Sequence, residues 1–135
     1  MKIFLSAELE GAASSKWFEL QKEFTPILSK INDRDYGDGL VSIAIISIIM
    51  RNEFFENNAY KERVFYDKKN KEADVRLKID YKKFVKADKD ERKKIYINHI
   101  IDSIHSLKYK VYSEFNFEQL IFDIENLLLK SLNKD

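Results

Sequence analysis

In a chain without cysteine, the first acid–base and metal-binding candidates to weigh are its only two histidines, His99 and His105. They stand six residues apart on one predicted helix, about 600° round at 100° per residue, and so face different directions. A shared metal is disfavoured, and surface or boundary positions are the plainer reading. Glu8 and Glu10 alternate onto one face of a predicted strand, where paired carboxylates could exchange protons or hold a cation. No third ligand stands at a fitting spacing, so a solvated or partner-facing strand edge is the better reading. Asp33, Asp35 and Asp38 read DxDxxD, a calcium-loop fragment that lacks the bidentate glutamate and remaining spacing of an EF-hand. This is better read as an acidic turn that offers carboxylates to a basic partner. There is no GxSxG elbow, no SxxK pattern and no phosphate-cradling glycine pattern. The lack of cysteine removes disulfides, thiolate catalysis and thiolate metal sites. These residues point to no catalytic, cofactor or metal site, and to a function in binding another macromolecule.

The densest basic segment is Lys82, Lys83, Lys86, Lys89, Arg92, Lys93 and Lys94, with Tyr81, Phe84 and Tyr96 close by. Clustered cations interleaved with aromatics can grip nucleic acid. Asp88, Asp90 and Glu91 dilute this field, and a solvated helix face laced with i, i+4 pairs explains it as well. The net charge is +1, from 24 basic and 23 acidic residues, so no global field favours nucleic acid or an anionic membrane. A nucleic-acid-associated regulator using residues 82–94 is the alternative reading.

The elements that must position these groups follow from periodicity. Ile3, Leu5, Ala7 and Leu9 alternate with Phe4, Ser6, Glu8 and Glu10, the period of a strand, which Gly11 ends. Trp17, Leu20, Phe24, Ile27, Leu28 and Ile31 recur at helical spacing, with Ser14 or Ser15 as cap and Pro26 expected to kink or divide the helix near Thr25. Residues 32–39 read as a loop. Leu40 to Met50 is a β-branched apolar run, expected as a central strand covered on both faces. Tyr60 to Asp67 and Ala73 to Asp80 alternate around a polar turn and predict a hairpin, one face toward the core and the other toward water or a partner. Asp88 with Glu91, and Asn116 with Gln119, mark the starts of two closing helices. Trp17 beside Phe18, and Phe54 beside Phe55, read as core aromatics rather than binding anchors. The order β-α-β-β-β-α-α predicts an α+β fold: a four-stranded, mostly antiparallel sheet with packed helices, in a single domain over residues 1–135. The longest apolar run has eleven residues against the roughly twenty of a membrane span, and no leader pattern opens the chain, so a cytoplasmic protein is expected.

Taken in order, MKIFLSAELEG, YGDGLVSIAIISIIM, ERVFYDKKNKEADVRLKIDYKKFVKAD and HIIDSI resemble the small immunity proteins of bacterial polymorphic-toxin and contact-dependent growth-inhibition systems. The resemblance implies a cytoplasmic α+β protein without cofactor. It would bind the C-terminal toxin domain of a large secreted effector in a 1:1 complex and occlude the toxin's active site or substrate surface. It carries over no binding residues. Toxins that act on nucleic acid present cations, which an acidic surface would complement. The residues expected to form that surface are Glu8, Glu10, Asp33, Asp35 and Asp38, with Tyr36 as an aromatic anchor.

Overall fold

The computed structural model describes residues 1–51, 60–111 and 114–132. Phe54 and Phe55 lie outside the described residues. Strand β1 (Lys2–Leu9) keeps its apolar set on one face and ends before Gly11, whose φ of +53° turns the chain into helix α1 (Ala13–Leu28). Ser14 and Ser15 do not cap this helix. Its N-cap is Ala12, with no side-chain bond, and the turn is closed instead by Ala13 N–H to the Glu10 carbonyl at 3.2 Å and Ser14 N–H to the Gly11 carbonyl at 3.2 Å. Trp17, Leu20, Phe24 and Leu28 form its buried stripe. Nor does Pro26 divide the helix. It lies near the C-terminal end on the exposed side, where water can replace the bond its missing N–H would have made. A 3₁₀ turn (Ser29–Ile31) and a loop lead into β2 (Ser42–Ile49).

Strands β3 (Arg63–Asp67) and β4 (Glu72–Lys78) form the expected hairpin. A short helix, α2 (Tyr81–Lys86), follows, which the lysine-rich segment does not announce. Asp80 caps it by accepting from Lys83 N–H at 3.0 Å. Helices α3 (Lys89–Leu107) and α4 (Phe117–Leu132) start as predicted: Asp88 accepts from Glu91 N–H at 2.8 Å and Asn116 from Gln119 N–H at 3.0 Å.

The sheet order is β1-β2-β4-β3. The antiparallel expectation holds at the β3–β4 hairpin, while β1–β2 and β2–β4 are parallel, so the sheet is mixed. The connectivity explains this. α1 is a crossover that returns the chain to the starting end of β1, which makes β2 parallel to it. β3 then runs back along the outer edge, and its tight turn delivers β4 between β2 and β3. One sheet face presents Ile43, Ile45, Ile49, Ala73 and Val75 to α1 and α3, and α4 packs against both helices. Each isoleucine fully buried there contributes about 1.5–3 kcal/mol. β2 is central, as expected; among the described residues the helices pack on this face, while on the other Ala44 and Ile46 are half-exposed and Ile48 is buried. Trp17 joins the core, whereas Phe18 is exposed.

The loop before β2 is docked on the start of α4. Asn116 N–H donates to the Tyr36 carbonyl at 2.7 Å, and Gly37 turns with a φ of +95°. A methyl group on Gly37 would stand 2.8 Å from the Glu114 carbonyl oxygen. Gly37→Ala therefore combines left-handed strain with a backbone clash, and is expected to lower the unfolding free energy by about 2 kcal/mol. A shift of the urea midpoint at unchanged slope would report it.

Candidate partner-binding surface

Parallel pairing of β1 with β2 separates the carboxylates that the sequence groups. The register sets Lys2 beside Ser42, and Lys2 N–H donates to the Val41 carbonyl at 3.0 Å. The loop carrying Asp33, Asp35, Tyr36 and Asp38 therefore enters the sheet at the starting end of β1. Glu8 and Glu10 lie at the other end, roughly 20 Å away at about 3.3 Å per residue. Glu8 accepts from Arg76 Nη2 at 2.6 Å, and Glu10 pairs with Arg51. At the loop end, Asp33 is exposed, Asp35 accepts from Gly37 N–H at 2.8 Å to form the turn, and Asp38 pairs with Lys71 at 3.4 Å. Tyr36 is only 5% exposed. Its ring lies against Phe115 and its hydroxyl donates to Asp123 at 2.7 Å, which makes it a core anchor for the loop.

Asp123 gathers this end together, accepting also from Gln119 at 2.9 Å and pairing with Arg34 at 3.0 Å. Partial burial pushes its carboxyl up, but the bonds from Tyr36, Gln119 and Arg34 outweigh that and hold it below the usual range. Burial, then the bond to Asp123, raises the Tyr36 phenol to about 12.

Chemistry-bearing side chains also meet in the core. Ser47 Oγ and His99 Nε2 are 2.8 Å apart, the spacing of a nucleophile–base pair. Ser47 is fully buried and His99 is 6% exposed. An open cleft of about 380 Å³, lined by Glu62, Lys78, Asp80, Asn98 and Asp102, reaches the imidazole, and Ser47 is not part of its lining. Burial lowers the His99 imidazole to about 4 and keeps it neutral near pH 7. Tyr96 stacks on this ring at 6.0 Å, and burial raises its phenol, with Trp17 and Ser47 close enough to oppose the shift. Tyr96 Oη and Trp17 Nε1 are buried without a partner of full hydrogen-bond geometry. His99 is thus a core residue rather than a boundary one. The sign of it in the sequence is Ser47, a polar residue in an isoleucine strand. No group of three or more metal-ligating side chains forms among the described residues.

The basic segment is partly consumed by folding. The buried Arg92 donates to the carbonyls of Phe84 and Ala87, and Lys93 pairs with Glu23 at 2.7 Å. A second exposed surface is the sheet face that no described helix covers. Phe4 there is 54% exposed and Phe65 43%. Strand alternation already marks both as outward-facing, but only the sheet order places them in one row. No described helix is long and apolar enough to cross a membrane.

The chain matches the family model described as immunity protein 44 over residues 1–130. No curated protein and no solved structure matches it. The matched span takes in the whole sheet and nearly all of the last helix, and the chain belongs to the immunity protein 44 family.

Proposed function

We propose that this protein neutralises a cognate bacterial toxin in the cytoplasm by binding the toxin's C-terminal domain, one copy to one, and covering its active site or substrate surface. The observation that carries this reading is the family match across residues 1–130. Two features of the fold support it. Ser47 is fully buried in its pair with His99, and a sheet face with exposed aromatics is available for recognition. For the nucleic-acid alternative, Arg92 and Lys93 are engaged within the protein, while Lys82, Lys83, Lys86, Lys89 and Lys94 stay exposed.

The first test is whether a neighbouring gene encodes a large secreted effector, and the second is co-expression with that effector's C-terminal domain. Growth should be rescued, and the two chains should co-elute as a 1:1 complex by light scattering. Failure of the wild-type protein to rescue growth, or rescue with no complex at micromolar concentration, would overturn the proposal.

A further inference from the structure

Register places Phe4, Ala44, Asp74 and Phe65 in one row across the four strands, on the face away from the helices. Neighbouring strands lie about 4.8 Å apart, so the two phenylalanines stand roughly 14 Å apart at their backbones. Between them the Ala44 methyl leaves a dip, with Asp74 beside it. Phe4, Phe65 and Asp74 are exposed, and Ala44 is half-exposed. The next row toward the hairpin turn is Lys2, Ser42, Glu72 and Asp67. Glu72 and Asp67 are therefore directly opposed like charges, an arrangement that costs stability until a cation arrives.

The charges on this face differ in how they are satisfied. Glu8 and Arg76 pair with each other, and Asp67 accepts from Asn70 and from the Lys69 N–H in the turn. Arg63 is diagonal to Asp74 in the register, but its guanidinium lies over the Phe65 ring, 4.8 Å from the centroid. Among the described residues, no side chain pairs with Asp74 or Glu72. Two exposed aromatic rings thus flank Ala44 and the carboxylate of Asp74, with Arg63 held over the Phe65 ring and Arg76 held by Glu8 in the row beyond.

We infer that this open sheet face is the toxin-docking surface, and that it accepts a lysine or arginine of the toxin domain beside Asp74 with apolar contacts to Phe4 and Phe65. This rests on the proposed function and adds to it the face and the chemistry of the partner. A cationic side chain fits because its methylene stem can lie on Ala44 and Ile46 while its head meets Asp74 and Glu72. The rings exclude water around that contact, which raises its worth over that of an exposed ion pair.

Calorimetry with the effector's C-terminal domain, inactivated at its own catalytic residue, tests this on folded variants. Asp74→Lys should weaken binding by about 100-fold and Phe4→Ser by about 10-fold, with thermal midpoints close to wild type. Phe122→Ser, which alters an exposed ring on α4, should bind within twofold of wild type. If the wild type binds and the Asp74 and Phe4 variants do so equally well, this face is not the docking surface, and the proposed function stands without it. If the wild type does not bind, both fail. A dimer of the protein alone, dispersed by Phe4→Ser, would assign the face to a second copy and overturn the inference.

Discussion

Arg92→Met should lower the unfolding free energy by about 3 kcal/mol, with little change in the denaturant slope. Arg92 is 9% exposed on the first turns of α3, and its guanidinium reaches back to the end of α2. Nε donates to the Phe84 carbonyl at 3.0 Å and Nη2 to that of Ala87. These are carbonyls at the C-terminal end of a six-residue helix, too short to satisfy them internally. Methionine retains the stem's packing and removes every donor, leaving acceptors with no replacement in the core. Arg92→Lys should recover only part of the loss, because an ammonium does not reproduce the planar fork that serves both carbonyls. Unfolding curves within 0.5 kcal/mol of wild type for the methionine variant would show that water satisfies those carbonyls. The same substitution separates two readings of the basic segment, since an arginine held by backbone carbonyls is occupied within the fold.

Acidification from pH 7 to about 4.5 should remove most of the stability that depends on a neutral His99, up to about 3 kcal/mol for a shift from 6.5 to about 4. In the unfolded chain the imidazole takes up its proton below pH 6.5. In the folded protein, burial withholds that proton until about pH 4. Across that window the unfolded state binds more protons, so stability is complete above 6.5 and falls as the pH drops. Asp67 and Asp123, both held below the usual carboxylate range, keep their contribution above their unfolded values near 3.8 and lose it only as the pH falls further. His99→Gln should be less stable than wild type at pH 7.5 yet nearly flat between pH 6.5 and 4.5. Chemical denaturation at four pH values measures this. A wild-type curve without slope over the window would mean that His99 is solvated or already protonated in the folded state.

The two substitutions probe different joints. Arg92 ties α3 to the end of α2, whereas His99 ties α3 to the central strand through Ser47. The sites lie two helical turns apart on one helix, far enough that their effects should add to within about 0.5 kcal/mol in the double variant.

Composition and periodicity were enough to establish that four strands and amphipathic helices share one α+β architecture, because a two-residue or 3.6-residue repeat is a local property of the chain. The caps at Asp88 and Asn116 were readable for the same reason: the acceptor and the N–H it serves are three residues apart. The order of the strands was not readable, since parallel pairing of β1 with β2 depends on α1 returning the chain to its starting end. That pairing sent Glu8 and Glu10 to one end of the sheet and the Asp33–Asp38 loop to the other, a separation that their sequence spacing does not reveal. Tyr36 looked like an exposed anchor in a polar loop, but Asp123, 87 residues later, draws its hydroxyl inward. His99 was reassigned to the core by Ser47, 52 residues away. Phe4, Ala44, Asp74 and Phe65 share no motif, and only hydrogen bonding between strands brings them into one row. Sequence spacing determines which way a side chain points along its own element; which elements become neighbours is decided by the burial of all their apolar faces at once, and the surface offered to a partner is what that packing leaves uncovered.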